Sequence, residues 1–242
     1  MHRVDSVETR VLCVIPARGG SKGIRLKNIT PVNGEPLLHY SLTAAQNATR
    51  LSRVVLSSDH PEILAVARTY GDDVPLERPA ELAQDDTASD PVALHALEVC
   101  EAAGDEPYGY VLLLQTTNPL VIPDDIDRTV ELLVNSGCDS CVTVSSIGDL
   151  HPAKLKVMDG DRLLPYLEQE VTGLRQQLPE VYTRNHSCYA VRRSVLKEKG
   201  LYGDDIRAVV VPKERMVNID DSIDLTVAEA LLGAQRHRAE TV

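Results

Sequence analysis

The chain has 242 residues, lacks Phe and Trp, and carries a formal net charge of −11. That length fits one large domain, or one domain with a small insertion, over a core of Leu, Val, Ile and Ala with a few Tyr. The acidic balance excludes a general nucleic-acid binder, which needs a basic face, and apolar runs no longer than a strand exclude a membrane span.

The first residues hold Asp5, Glu8 and Arg10 and form no signal-peptide core,. Five cysteines (Cys13, Cys100, Cys138, Cys141 and Cys188) are an odd number scattered along the chain. That usage indicates reduced thiols and a cytoplasmic location. Cys138 and Cys141 have redox or metal spacing, but Cys141 enters an apolar run and no second Cys/His pair matches it. Buried or half-buried free thiols are therefore expected.

The first element is an apolar strand over 11–15 that runs into a loop with Gly19, Gly20 and Gly23 and the cations Arg18, Lys22, Arg25 and Lys27. Glycines let backbone come close to a ligand, and loop amides with lysine and arginine attract anions. The spacing fits neither a Walker A loop nor a dinucleotide fingerprint. It indicates a polyphosphate held by basic clamps, with a solvated basic turn as the plainer alternative. Helical spacing then covers 37–48, and a strand over 53–57 ends at Ser57-Ser58-Asp59. A helix over 61–70 opens on Pro61, a short strand covers 74–76, and a helix over 90–103 follows,. The apolar strand 110–114 ends in Gln115-Thr-Thr-Asn-Pro119. A helix over 123–136 has acids in its first turn, and a strand covers 140–144,.

The rhythm breaks after residue 145, where 150–190 reads as an inserted arm or lid of short strands and loops. Strand 187–191, a helix from Ser194, strand 208–211 and a last helix over 224–235 complete the chain. Apolar strands alternating with helices indicate an α/β fold with a mostly parallel, mixed sheet covered on both faces. Ligands of such sheets sit at the strands' C-terminal ends. Residues 18–27, 57–60 and 115–118 all fall there.

Seven segments, in order, carry a family resemblance: Ile15-Pro-Ala-Arg-Gly-Gly-Ser-Lys-Gly23 with Leu26-Lys-Asn28; Ser57-Ser-Asp59; Arg78 to Ser89; Leu113 to Leu120; His151-Pro with Lys154; Arg175 to Glu180; and Asn218 to Asp224. Over residues 10–232 the chain resembles the acylneuraminate cytidylyltransferases, which make CMP-activated nonulosonic acids. The resemblance implies a Rossmann-like nucleotidyltransferase domain over 1–242, with a dimerisation or lid arm at about 146–186. It also implies transfer of CMP from CTP to a small anionic acceptor, and a homodimer or dimer of dimers.

By that resemblance Arg18, Gly19, Gly20, Ser21, Lys22, Lys27, Asn28, Arg78 and Ser89 bind the nucleotide. Gln115, Lys154, Arg175, Gln176, Asn185, His186 and Tyr189 bind the acceptor. Asp220, with Asn218, holds Mg²⁺, and Arg18, Lys22, Lys27 and Asp220 are the catalytic set. The residues alone leave other roles open. Asp85, Asp86 and Asp90 read best as caps of the following helix, and Ser57 and Asp59 either border the nucleotide or cap a helix. His151 reads as a turn residue, and Asp221 and Asp224 as solvent-exposed caps of the last helix. The chain departs from the family at Asn218, where Asp is usual, at Val121, where Arg is usual, and at His186, where Gly is usual. The changes at Val121 and His186 surround the acceptor side, and that at Asn218 concerns the metal. They leave open another acceptor (a different sugar acid or a phosphonate) and a non-catalytic nucleotide-binding protein. His186 either contacts an unusual acceptor or packs.

Overall fold

The computed structural model describes residues 9–167 and 178–240. Seven strands form the main sheet: β1 (Val11–Pro16), β4 (Arg53–Ser58), β5 (Pro75–Glu77), β6 (Tyr110–Leu114), β7 (Ser140–Ser146), β10 (Tyr182–Arg192) and β11 (Ile206–Val210). Their order is β11-β7-β10-β6-β1-β4-β5. Every pairing is parallel except those of β10, which runs antiparallel to both β6 and β7. The C-terminal ends of β1, β4 and β6 therefore share one edge with the first residues of β10.

Strand β1 is apolar at every position because both its faces are covered. Cys13 and Ile15 pack into a core with α1 (Leu37–Asn47), α2 (Pro61–Arg68) and α4 (Pro123–Ser136). Leu12 and Val14 face α3 (Ser89–Ala102) and α5 (Arg193–Lys199) on the other side. Each fully buried aliphatic side chain of this kind contributes roughly 1.5–3 kcal/mol. Helix α4 follows its sequence signals: Pro123 opens it, Asp124 and Asp125 sit in its first turn, and Gly137 at φ 71° ends it,.

Two features differ from the sequence reading. Between the cation loop and the first helix, β2 (Pro31–Val32) and β3 (Glu35–Pro36) form a hairpin closed by Asn33 at φ 48° and Gly34 at φ 87°. Two consecutive positive φ values match the twist of a two-residue hairpin turn. Helix α6 (Ser222–Glu240) packs on this hairpin through Ala228 and Leu232 against Val32 and Leu37. Secondly, β10 begins at Tyr182, not at 187, and pairs with β7 as far as Ser146. Residues 182–186 thus extend the main sheet.

Of the arm, the described part is a hairpin of β8 (Lys156–Asp159) and β9 (Arg162–Pro165) that leaves Met158, Leu163 and Tyr166 exposed. All five cysteines are buried and unbridged, and burial pushes Cys141 up to about 12. Among the described residues no helix is long and apolar enough to cross a membrane.

Candidate functional site

At the C-terminal edge of the sheet lies a cleft of about 420 Å³. The loop after β1 supplies Arg18, Ser21, Lys22, Gly23, Lys27 and Asn28 to its wall. The segment leading into α3 supplies Thr87, Ala88 and Ser89, and the end of β6 supplies Gln115, Thr116 and Thr117. Arg78 and Asp220 complete it. Of the three polar clusters expected at strand ends, those of 18–27 and 115–118 supply this wall, while 57–60 lies behind it, where the Ser57 carbonyl accepts from Arg78.

The loop is fixed by its neighbours. Buried Asn28 donates to the Arg18 carbonyl (2.9 Å) and accepts from the Thr116 hydroxyl (2.6 Å), joining the loop to the end of β6. The Gly19 amide donates to Asp59 (2.9 Å). Asp59 is not the cap of α2, which is His60, its Nδ1 accepting from the Glu62 amide. Gly19 and Gly23 are required sterically. A Cβ on Gly19 would lie 2.7 Å from the His60 ring, and one on Gly23 would lie 2.0 Å from the Asp220 carbonyl oxygen. Gly20 has open space around it, so its contribution is an accessible backbone. Arg25 is exposed and outside the cleft wall.

Each loop cation on the cleft wall is held by an acid. Arg18 Nη1 donates to Asp85 Oδ1 (2.8 Å) and to the Gln84 carbonyl (3.0 Å), and Lys22 lies 3.1 Å from Asp85 Oδ2. The expected capping role of Asp85 is thereby corrected: the N-cap of α3 is Ala88, without a side-chain cap. Lys22 and then Arg18 hold the Asp85 carboxyl below the usual carboxylate range. Lys27 Nζ reaches the Ile219 carbonyl (2.5 Å) and Asp220 Oδ1 (3.1 Å). Arg78 is 5% exposed and donates to the Ser57 carbonyl (3.1 Å), while its Nε has no partner among the described residues. Burial lowers its pKa, against the pull of Asp59.

Asn218 donates through Nδ2 to Asp220 Oδ2 at 2.5 Å. The neutral amide therefore braces the carboxylate that an aspartate there would repel. Asp221 caps α6 by accepting from the Ile223 and Asp224 amides (2.8 and 3.0 Å), and Asp224 accepts from the Asp220 and Asp221 amides. Among the described residues no group of three His, Cys, Asp or Glu gathers to cage a metal. A lone exposed carboxylate on a cleft rim fits Mg²⁺, which is commonly held by one or two carboxylates plus phosphate oxygens and water.

The acceptor-side residues are divided. Gln115 lines the cleft, and its amide donates to the Ser187 carbonyl (3.0 Å). His186 is exposed and holds a left-handed backbone at φ 56°. Partial burial and then Arg184 lower its pKa, with Asp220 opposing them. Asn185 is interior, accepting from the Thr143 hydroxyl. Tyr189 is also interior, packed edge-on against Tyr202 at 6.3 Å in the core under α3 and α5. Both are corrections: neither side chain is on the cleft wall. The pairing of β10 with β7 shifts between Arg184 and Tyr189, and such a bulge re-aims side chains. Lys154 ends a short turn (Pro152–Lys154) that His151 caps, and it too is away from the cleft wall. Arg175 and Gln176 lie outside the described residues.

The residue patterns place Asn118 in the cluster after β6 but give it no role of its own. It is fully buried and donates to the Asn185 carbonyl (2.9 Å), the Ser187 hydroxyl (2.7 Å) and the Arg215 carbonyl (2.9 Å). Arg215 in turn grips buried Asp125 with two bonds (2.6 and 2.9 Å). Asn118 thus fixes the end of β6, the start of β10 and the segment leading to Asp220 relative to one another.

The sequence pattern of the cytidylyltransferase family matches residues 12–219. A pseudaminic acid cytidylyltransferase of Campylobacter jejuni is 29% identical over 221 residues, spanning 91% of this chain and 95% of that protein. A CMP-N,N'-diacetyllegionaminic acid synthase of Legionella pneumophila is 31% identical over 227 residues, spanning 92% and 96%. Among solved structures, a CMP:2-keto-3-deoxy-manno-octonic acid synthetase complexed with CTP superposes with a TM-score of 0.70 at 17% identity, over 93% of this chain and 99% of that one. At that identity the likeness carries the fold alone.

Proposed function

The chain belongs to the cytidylyltransferase family, and we propose that it transfers CMP from CTP to a sialic-acid-like nonulosonic acid, releasing pyrophosphate. The observation that carries this reading is the convergence of Arg18, Lys22 and Lys27 on one cleft that also holds Gln115 and Asp220. The named relatives act on acids of that kind.

In the proposed reaction a hydroxyl of the acceptor attacks the α-phosphorus of CTP in line. A new P–O bond forms, the hydroxyl gives up its proton to solvent, the bond from the α-phosphorus to its bridging oxygen breaks, and pyrophosphate departs with the electron pair. Arg18, Lys22 and Lys27 stabilise the charge that grows on the leaving group. Asn28 and Asp59 keep their loop in place through the bonds to Arg18 and Gly19. Arg78 and Ser89 border the nucleoside, and Gln115, with Arg175 and Gln176, would orient the acceptor. Asp220, braced by Asn218, would hold Mg²⁺ against the phosphates. When bound, that ion would neutralise charge on the phosphate oxygens. The exposed apolar hairpin of β8 and β9 supports a homodimer joined through the arm, and the buried reduced thiols suit a cytoplasmic enzyme.

A second reading, transfer to a different sugar acid or a phosphonate, is favoured by His186 at a left-handed position beside Gln115's backbone partner Ser187. The deciding experiment is pyrophosphate release from CTP, with Mg²⁺, over a panel of nonulosonic acids, other sugar acids and phosphonates. Turnover with a nonulosonic acid is expected. Preference for another acceptor moves the assignment to the second reading, and CTP binding without turnover on any acceptor sinks both.

A further inference from the structure

The triphosphate reading assigns Arg18 and Lys22 to the ligand, yet both are already engaged by Asp85. This carboxylate comes from 67 positions along the chain and divides its two oxygens between the two cations, Oδ1 to Arg18 at 2.8 Å and Oδ2 to Lys22 at 3.1 Å. Two oxygens of one anionic group bridging two cations is the arrangement a phosphate would adopt there. No local role accounts for the side chain, since α3 starts at Ala88 without a side-chain cap. Nor is the contact part of the packed interior: Lys22 is 77% exposed and Asp85 49% exposed, so the pairs can open without unpacking anything.

We propose that Asp85 is an internal competitor of pyrophosphate: its carboxylate takes the polyphosphate's place between Arg18 and Lys22 and re-forms those pairs as the product leaves. The inference rests on the reading that these cations hold the triphosphate. It adds a product-release role to a residue outside the reacting atoms. Charge sets the terms. A single phosphate exchanges for the carboxylate roughly one for one and gains little. A polyphosphate that also reaches Lys27, on the same cleft wall, gains a third cation and displaces Asp85. Asp85 sits two residues before Thr87 on that wall. Its depressed pKa, caused by Lys22 and Arg18, keeps it charged at neutral pH.

Exposed ion pairs are individually weak, so the combined effect should be several-fold. Inorganic pyrophosphate is titrated by calorimetry into the wild-type chain and into Asp85→Asn, Asp85→Ala, Asp86→Asn and Lys22→Ala. Asp85→Asn and Asp85→Ala should each bind pyrophosphate about fivefold tighter, with stronger pyrophosphate inhibition of turnover. Asp86→Asn, with the same charge change one residue away, should bind as wild type does. Unchanged or weaker binding in both Asp85 variants overturns the proposal, as does equal tightening in Asp86→Asn, which would make the effect one of net charge. If Lys22→Ala binds pyrophosphate as tightly as wild type, the triphosphate reading falls and this inference with it. If only Lys22→Ala weakens binding and neither Asp85 variant tightens it, the triphosphate reading stands and this inference alone fails.

Discussion

On the donor side of the cleft Lys22 and Asp85 are charged and open to water, facing each other across a loop edge, with Lys27 and Arg78 more deeply set behind them. Behind the proposed acceptor side the supporting groups are buried and hydrogen-bonded: Asn118 is 0% exposed and Asp125 is 2% exposed. Exposed ion pairs contribute little to stability and exchange readily with a ligand. Buried hydrogen-bonded groups fix geometry and are costly to disturb. A nucleotide whose charge must be gained and lost in each turnover suits the first kind of wall. An acceptor distinguished by shape and hydrogen bonds suits the second.

The comparison can be broken in order of expected effect. Asp125→Ala strands the Arg215 guanidinium and should destabilise the fold by about 3–5 kcal/mol in urea unfolding; a loss under about 1 kcal/mol would show that the acceptor wall is not built on this pair. Lys22→Ala should leave the unfolding midpoint within about 0.5 kcal/mol of wild type yet lower the rate of pyrophosphate release by about 2–4 kcal/mol of transition-state stabilisation. Unchanged kinetics would place the triphosphate elsewhere. Asn118→Ala should cost about 1–3 kcal/mol and raise the acceptor KM while sparing that of CTP. An equal rise in both would erase the division between the two sides. The smallest effect is that of His186→Gly. Relief of the left-handed backbone, about 1–2 kcal/mol, is partly offset by glycine's added chain entropy, about 0.5–1 kcal/mol. A rise in Tm of about 2 °C is expected, with a changed ranking in the acceptor panel. Unaltered acceptor kinetics would make His186 a bystander.

The sheet was legible because strands buried on both faces lose their alternation, as β1 and β6 do, and because helices carry their own punctuation, as Pro123 and Gly137 show. The loop that walls the cleft was legible as a concentration of glycine and cation behind such a strand. What stayed hidden depends on partners distant in sequence. The carboxylate of Asp85 reads as a helix cap until Arg18 and Lys22 are seen to claim it. Tyr189 reads as a pocket residue until the slip in β10 turns it into the core. The hairpin at Asn33-Gly34 had a readable turn signal, but its strands are two residues each and too short to show any periodicity.

The buried amide of Asn118 joins residues 67 and 97 positions further along the chain. Contacts of that separation close large loops, and their entropic cost is met only once nearer contacts are in place. This junction is thus set to assemble late, after β6, β10 and the segment before α6 have been brought together. The glycine-and-cation loop is closed by comparably distant partners, Thr116 88 positions from Asn28 and Asp220 193 positions from Lys27, so nucleotide binding and turnover should recover together on refolding.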